Sequence, residues 1–556
     1  MTQPVPPPPL RPPLVCTAFA AESYPATGGK VMGRQSASTA ILRAFIERLG
    51  PVQAAYLMLG EREAPAFDLL VKRLGGTQAQ CVLPHAIEEV GRYGTLFTGG
   101  PDLAQLARRR AMAGAARRFS LCGITHTLSS LGATAAIAAW PASDAQPWDA
   151  VICTSEAARA VVRRVLEEEL ARLAARFGPQ RPPLPELPLI PLGIHTANFA
   201  PRPGEREAER ARLGLGERDV AVLFHGRVSF HAKAHHWPMM AALGRVAPRM
   251  PAGARLHLLI AGWTSNEGQE RAVRDCAAAL CPDVVLHRLP GAEPEAPQPA
   301  FWAAADIATL LSDNIQESFG LAPLEALAAG LPVVASDWDG LKETVRHEED
   351  GFRVPTSFPP PGTAPGLGLA HASGAMDYDH FVGHAGQLAA VDVPATADAF
   401  AALALDPARR RAMGAAGQAR VRREFDWAAI VPRYLELWRE LAARREAAPE
   451  PRGTLPPDPT RIFAGFPTAP LRPDTVLARD PAAPTLPLPQ AAALPSAMIG
   501  APPPRRLARL GALLAAMGEA GASIETVARA LPEAERGAVW ADCAWLLKTG
   551  YARRLG

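Results

Sequence analysis

The sequence predicts an α/β protein made of two doubly wound parallel-sheet domains, followed by a small helical module. Three observations predict this class. Short apolar runs alternate with helical patterns in residues 14–197, the same alternation returns in residues 198–448, and a proline-rich stretch separates the two. This alternation is typical of parallel sheets covered by helices on both faces. A chain of 556 residues is also too long for one ordinary core.

The first predicted domain follows a proline-rich tail at residues 1–13. Its first strand leads into a loop that contains Gly28 and Gly29, and a helical pattern comes next. Glycines in such a loop would let backbone amides approach a phosphate or a sugar, although the same loop is also a plain turn. The strands of this domain are predicted at residues 14–20, 54–59, 120–125 and 150–153.

The second predicted domain repeats the pattern. A helix is predicted at residues 317–329, with Gly330 as its stop. Residues 356–385 are rich in proline, glycine and histidine and are interpreted as an insertion, after which helices continue to residue 448. The strands are predicted at residues 220–224, 256–261, 284–286, 307–311 and 331–335.

Two further regions follow the second domain. Residues 449–504 are proline-rich and predict a linker, and residues 505–556 predict a helical module that resembles the helical part of a winged-helix domain. The module holds eight Lys or Arg against five Asp or Glu, a small excess for a nucleic-acid contact. The sequence therefore favours a protein partner or dimerisation through this module over nucleic acid.

The composition excludes several classes of protein. A net charge of +3 gives no global attraction to nucleic acid or membranes. The seven cysteines form no CxxC pair, which argues against structural zinc and for buried thiols in a reducing compartment. The chain begins without the pattern of a signal peptide, and no apolar run approaches the roughly 20 residues of a membrane span. We therefore expect a cytoplasmic location.

The segment from residue 316 to residue 335 carries the strongest chemical signal. Glu317 and Glu325 lie eight positions apart on either side of a tight turn into a helix. The first amides of a helix have no partner within the helix, and its dipole favours an anion there, so a diphosphate suits the turn. Two ionised carboxylates beside it can accept hydrogen bonds from sugar hydroxyls. The residues of the turn are Ser318, Phe319, Gly320 and Leu321.

Two basic residues follow the first strand of the second domain. Arg227 comes directly after the strand, and Lys233 follows six residues later. The carboxyl end of such a strand is the ligand edge of a parallel sheet, and both side chains suit phosphate. Solvated loop charges are the alternative interpretation.

These residues resemble those of the family 4 retaining glycosyltransferases, which share the GT-B fold. The stretch from residue 317 to residue 345 resembles the family signature, and Gly226-Arg227 with Lys233 resembles the pair that neutralises the donor diphosphate. The resemblance covers residues 14–447 except the insertion at residues 356–385, and it implies two domains facing across a cleft. It implies catalytic roles for His126, Arg227, Lys233 and Glu317, and donor binding by Gly28, Gly29, Arg227, Lys233, Arg288, Leu289, Glu317, Ser318, Phe319, Gly320, Leu321 and Glu325.

The resemblance also implies a division of labour among these residues. Glu317 would bind the sugar hydroxyls, Glu325 the ribose, Arg288 and Leu289 the base, and His126 the transferred sugar. A hexose would pass from a UDP- or GDP-sugar with its anomeric configuration retained, and no metal or other cofactor is expected. The sequence Asp337-Trp338-Asp339 has metal-binding DxD spacing, but it follows a strand within the family signature and is interpreted as structural.

These patterns do not identify the acceptor, and they do not decide whether the protein contacts a membrane. The resemblance is compatible with a sugar or a lipid-linked acceptor in glycan or glycolipid synthesis. The arginine run at residues 108–110, with Arg117 and Arg118, would contact anionic lipids at the inner membrane surface or form a solvated helix face. Two alternatives to a transferase are a regulator or docking protein with a transferase-like body, and a phosphorylase or epimerase, against which the ribose-binding position of Glu325 argues.

Overall fold

The computed structural model describes residues 15–24, 33–179, 181–264, 266–291, 300–451, 453–494, 496 and 504–555. The predicted tail and the loop with Gly28 and Gly29 lie outside these residues. The described residues form two compact units, divided between Pro456 and Pro457. Of the helices described, none has the length and apolar character needed to cross a membrane.

The first unit contains two six-stranded sheets in which all strands are parallel, so the predicted fold class is confirmed. The strands of the first sheet are β1 (Cys16–Phe19), β2 (Val52–Leu57), β3 (Gln78–Val82), β4 (Thr95–Phe97), β5 (Ser120–Ile124) and β6 (Ala150–Ile152). Those of the second sheet are β7 (Val220–His225), β8 (Leu256–Ala261), β9 (Val285–Leu289), β10 (Ile307–Leu310), β11 (Val333–Ser336) and β12 (Gly351–Val354).

The two sheets have the same topology. The strand order is β3-β2-β1-β4-β5-β6 in the first sheet and β12-β11-β10-β7-β8-β9 in the second. Each order reverses beside the first strand of its domain, between β1 and β4 and between β7 and β10. Parallel sheets bind ligands at the carboxyl ends of the strands that flank such a reversal.

Burial explains why these runs become central strands. Every residue of β2 and of β8 is buried, as expected where helices cover both faces of a parallel sheet. The helices of this unit are α1 (Gly33–Leu49), α2 (Ala64–Arg73), α3 (Ala104–Met112), α4 (Leu131–Ala138), α5 (Glu156–Phe177), α6 (Glu205–Arg212), α7 (His236–Val246), α8 (Glu267–Leu280), α9 (Phe301–Ala304), α10 (Leu321–Ala328), α11 (Leu341–Thr344), α12 (Pro365–Ala372), α13 (Tyr378–Gly386), α14 (Val393–Ala404), α15 (Pro407–Glu424) and α16 (Trp427–Ala447).

Helix α16 returns from the second sheet to the first. Its Trp438 ring lies 5.7 Å from the ring of Phe45 on α1, and Arg445 donates a 2.6 Å hydrogen bond to Ser120 Oγ on β5. The start of the helix packs on the interdomain segment, where a Cβ at Gly193 would lie 2.6 Å from Trp427. A side chain at position 193 therefore cannot fit without moving the helix.

The arginine run of the first domain is not one solvated face. Arg110 is fully buried and makes two 2.7 Å hydrogen bonds to the carboxylate of Asp149. Arg117 donates to backbone carbonyls of Arg445 and Glu446 on α16. Neither of these two residues is therefore available to a lipid surface, and sequence alone could not show their partners because both lie far along the chain.

The predicted insertion is a folded excursion. A two-residue strand β13 (Thr356–Ser357) pairs antiparallel with β14 (Ala390–Val391), and α12 and α13 lie between them. Proline and glycine in this segment therefore mark helix starts and turns around helices, rather than an irregular loop.

The second unit starts earlier than the sequence predicted. It comprises β15 (Val476–Arg479), β16 (Ala522–Ser523) and β17 (Ala552–Leu555) in one antiparallel sheet, with α17 (Pro459–Ile462), α18 (Leu488–Ala493), α19 (Pro504–Met517), α20 (Ile524–Ala528) and α21 (Val539–Lys548). Strand β15 and the buried Leu477 lie within the predicted linker, so the linker boundary at residue 504 is corrected. The winged-helix resemblance of this unit stays a prediction.

Candidate functional site

The candidate site lies where β7 and β10 end, beside the reversal in the second sheet. The loop after β7 carries Arg227 and Lys233, and the segment after β10 carries Glu317 and the turn into α10. The structure therefore brings together the two groups of residues that the sequence places 84 positions apart. The carboxyl-end position is the ligand edge of this topology.

Lys233 and Glu317 form a direct ion pair across the site. Glu317 also accepts a 3.1 Å hydrogen bond from the amide of Gly320. Burial alone would raise the pKa of Glu317, but the ammonium of Lys233 and the neighbouring amides outweigh it and lower the pKa. Glu317 therefore stays ionised.

Arg227 is held beside this pair. Its guanidinium donates 2.7 Å hydrogen bonds to the Gln316 side chain and to the carbonyl of Ala232. Burial lowers the pKa of Arg227, and the nearby carboxylate of Asp379 opposes that effect. Two cations thus face the same turn from one loop.

Helix α10 is shorter than the helix predicted at residues 317–329, since it begins only at Leu321. The residues before it form a tight turn. Gly320 precedes the helix with φ of 88°, and a Cβ there would lie 2.5 Å from Leu341. The Glu317 carboxylate bonds the Gly320 amide and holds the turn outside the helix. Only glycine fits this position, which leaves the backbone accessible at the helix start.

Two residues of the turn make contacts that stabilise the fold. Phe319 is 2% exposed and packs against Phe425, so only its backbone is available to a ligand. The Ser318 carbonyl accepts a 2.6 Å hydrogen bond from the hydroxyl of Ser155, which also caps helix α5 of the first domain. The turn is therefore fixed against both sheets.

Glu325 lies within α10 and has a partner that sequence analysis missed. His225 Nδ1 is 3.5 Å from Glu325 Oε2, and its ring lies 5.0 Å from the ring of Trp302. His225 is the last residue of β7. Its position at the strand end, in line with the ligand edge, was the available signal.

The histidines that follow His225 in the sequence have separate environments. His235 caps helix α7, and burial lowers the pKa of His236 to about 4, so that ring is neutral. Within the described part of the chain, no three His, Cys, Asp or Glu side chains gather as metal ligands do. Metal independence stays a prediction.

The two residues predicted to contact the base, Arg288 and Leu289, make their contacts within the second domain. Arg288 donates to both carboxylate oxygens of Glu270, at 2.9 and 3.1 Å, and Leu289 is buried. The guanidinium charge is thus balanced within the domain. A base contact by either residue stays a prediction.

The remaining predicted residues lie around the edges of the site. His126 follows β5, at the carboxyl end of the first sheet. Asp337 pairs with Arg353 at 3.5 Å, while burial and the charge of Glu317 raise the pKa of Asp339 well above its usual range. A raised pKa makes the carboxyl of Asp339 a poorer metal ligand, and the absence of a metal at this DxD spacing stays a prediction.

Comparison with known proteins places this geometry in context. Residues 219–361 match the family model "Glycosyl transferases group 1". A D-inositol 3-phosphate glycosyltransferase from Kineococcus radiotolerans is 33% identical over 47% of this chain and 53% of its own length. One from Thermobispora bispora is 40% identical over 28% of this chain and 35% of its own length. The chain thus spans about half or less of the curated relatives it matches.

A solved structure of HepE from Anabaena, in complex with UDP, is 16% identical with a TM-score of 0.49, over 77% of this chain and 99% of its own. The two parallel sheets described above are the architecture of the GT-B fold. The matched segment contains both ends of the candidate site, from Arg227 to Glu325. Residues 219–361 are therefore similar to a glycosyl transferases group 1 domain.

Proposed function

We propose that the protein is a retaining glycosyltransferase that moves a hexose from a UDP- or GDP-sugar to an acceptor hydroxyl. The observation that carries the proposal is the convergence of Lys233, Arg227 and the Gly320 turn at one sheet edge, flanked by the carboxylates of Glu317 and Glu325. Cations and helix amides suit a diphosphate, and carboxylates suit sugar hydroxyls.

The donor would displace the contact between Lys233 and Glu317. Lys233 and Arg227 would turn to the diphosphate together with the amides of the turn, and Glu317 would accept hydrogen bonds from the hexose. Glu325, steadied by His225, would accept from the ribose. The contact with Lys233 keeps Glu317 ionised and holds both side chains in place until the donor arrives.

In the proposed reaction, the bond from the anomeric carbon to the phosphate oxygen breaks, and a bond to the acceptor oxygen forms on the same face. The acceptor proton passes to the leaving phosphate, so no protein nucleophile is required. Arg227 and Lys233 stabilise the charge that grows on the diphosphate, which is often the largest contribution to rate. His126 would contact the transferred sugar, and no metal is needed.

The acceptor is proposed to be a sugar or a lipid-linked sugar, and the location cytoplasmic, at or near the inner membrane surface. The relatives named as D-inositol 3-phosphate glycosyltransferases support a polyhydroxylated acceptor. Arg108 and Arg118 remain the candidates for a lipid contact, since Arg110 and Arg117 are engaged elsewhere.

A second candidate function rests on the second unit. It has its own buried core, which includes Leu477, Leu510 and Trp545, and so folds as a separate module. On this hypothesis the chain is a transferase-like scaffold that docks a protein partner or dimerises through residues 505–556.

A donor screen tests the proposal. UDP-, GDP- and ADP-sugars are incubated with the wild type, with Glu325→Ala and with the control Glu349→Ala, an exposed glutamate that pairs with Arg346. Binding and release of nucleoside diphosphate are followed, with and without EDTA. One donor should bind and be hydrolysed slowly, and Glu325→Ala should weaken its binding about 10- to 100-fold, as loss of a charged hydrogen bond predicts. Absence of binding by every donor would leave the docking function.

A further inference from the structure

The excursion between β13 and β14 lies outside the resemblance to the transferase family, yet it reaches the candidate site. The second half of helix α13 contacts the loop after β7 that carries Arg227 and Lys233, which we call the donor loop. Asn314 Nδ2 donates to the carbonyl of His231 at 2.7 Å and to the carbonyl of Val382 on α13 at 3.4 Å. A Cβ at Gly383 would lie 3.2 Å from His231, so the helix backbone rests directly on this loop.

The first half of α13 crosses to the other domain. The hydroxyl of Tyr378 forms a 2.8 Å hydrogen bond with the hydroxyl of Ser129. Ser129 lies three residues after His126, in the segment between β5 and α4. One helix therefore connects the loop that carries Arg227 and Lys233 with the loop that carries His126.

The same end of α13 contributes charge to the site. Asp379, the residue after Tyr378, lies close enough to Arg227 to oppose the effect of burial on the pKa of that guanidinium. It does the same for His231, whose pKa burial also lowers. Helix α13 thus borders the cations that we assign to the diphosphate, and it does so from the side of the first domain.

We propose that Tyr378 is a positioning residue of the transfer site. From the inserted helix it holds the His126 loop against the donor loop and closes that side of the cleft to water. The inference rests on the proposed transferase function and adds to it a residue that the family pattern does not supply. Exclusion of water from such a site limits wasteful hydrolysis of the donor.

The hydrogen bond between Tyr378 and Ser129 is suited to reversible closure of the cleft. It is one hydroxyl-to-hydroxyl bond between partly exposed side chains, which contributes modestly to stability, on the order of 1 kcal/mol or about fivefold in an equilibrium constant. A bond of this strength can open for the donor to enter and close again afterwards. A buried ion pair would instead fix the cleft.

The test uses the full chain as wild type, Tyr378→Phe, Ser129→Ala, the double variant, and the control Tyr93→Phe. Tyr93 donates from its hydroxyl to Gln80 at 3.0 Å within the first domain, so the control removes the same chemistry away from the site. Stopped-flow binding of UDP and of GDP gives association and dissociation rates, and hydrolysis of UDP-glucose and GDP-mannose is followed without acceptor.

We expect Tyr378→Phe to raise both rate constants about fivefold, with the Kd of the nucleotide nearly unchanged, and to raise hydrolysis by a similar factor. Ser129→Ala should do the same, and the double variant should add nothing further because the two residues share one bond. The melting temperature should match that of Tyr93→Phe, which separates positioning from stability.

Two results overturn the inference, and they differ from each other. If the wild type binds and hydrolyses a nucleotide sugar but both single variants behave like Tyr93→Phe, Tyr378 has no positioning role while the proposed function stands. If the wild type binds neither nucleotide nor nucleotide sugar, the proposed function fails and the inference fails with it.

Discussion

The two parallel sheets share one strand order but differ in what the ends of their strands carry. In the second sheet, the strands beside the reversal lead into Arg227, Lys233 and Glu317. In the first sheet, β5, the strand next to β4, leads into His126 and Ser129. The family match covers only residues of the second sheet. The comparison teaches that one strand order can be combined with different loops, and that the second sheet carries the ion pair of Lys233 and Glu317 at its carboxyl edge.

The sheets also differ in how their buried polar groups are satisfied. The first sheet encloses the ion pair of Arg110 and Asp149, both fully buried. The second encloses a chain of rings, with His257 between Asp219 at 3.2 Å and His287 at 3.0 Å. We therefore expect the first sheet to be sensitive to loss of one charge and the second to be sensitive to pH.

The largest expected effect concerns the first sheet. Asp149→Ala leaves Arg110 buried without its partner and also frees the amides of Leu121 and Gln146, so the free energy of unfolding should fall by about 3–5 kcal/mol. Urea unfolding measures this. The control Asp68→Ala removes an exposed pair with Lys72 and should cost about 0.5 kcal/mol. Equal losses in the two variants would show that the buried pair does not brace the sheet.

The next effect concerns the carboxyl edge of the second sheet. Lys233→Ala should lower donor turnover about 100- to 1000-fold, as expected when one preorganised cation is lost from a site of charge development. Lys233→Arg should recover part of it, because the guanidinium also binds phosphate. Turnover is measured as release of nucleoside diphosphate, with Lys72→Ala on helix α2 of the first domain as the control. Undiminished turnover in Lys233→Ala would place the diphosphate elsewhere.

A smaller effect concerns acid stability of the second sheet. Burial lowers the pKa of His236 to about 4, below its value in the unfolded chain. Between these two pKa values His236 is protonated in the unfolded state but not in the folded state. The free energy of unfolding therefore decreases as the pH falls from about 6.5 toward 4. Between pH 7 and pH 5 the loss amounts to about 2 kcal/mol.

Urea unfolding at pH 7 and at pH 5 checks this, with His236→Phe and the control His380→Gln. His236 packs at 5.8 Å against Phe224, so phenylalanine keeps a ring there, whereas His380 is exposed. The decline between the two pH values should shrink in His236→Phe and persist in His380→Gln. A decline that is the same in both variants would assign acid sensitivity to other groups.

Most of the fold could be predicted because buried parallel strands are short apolar runs. The predicted strand at residues 256–261 is β8 to the residue. The strand β15 could not be predicted, since it is four residues long and its partners lie more than 40 positions away. Local pattern carries no information about such a pairing.

The candidate site was predictable in its composition but not in its contacts. Glu317, Lys233 and Arg227 follow strands that meet at one edge, so their proximity follows from topology. The engagement of Arg288 by Glu270 depends on side chains from different elements, which no spacing reveals. The start of α10 at Leu321 depends on a hydrogen bond from the Gly320 amide to Glu317. Helix propensity does not include this bond, so the predicted helix began too early.

The short ladder between Thr356–Ser357 and Ala390–Val391 has a consequence for engineering. Because the two ends of the excursion lie side by side, residues 358–389 can be exchanged as a cassette for a tight turn while the sheet keeps its register. The same pair of junctions offers a place to graft foreign helices between two parallel sheets that keep their strands, at the loss of Tyr378 and its contact with Ser129.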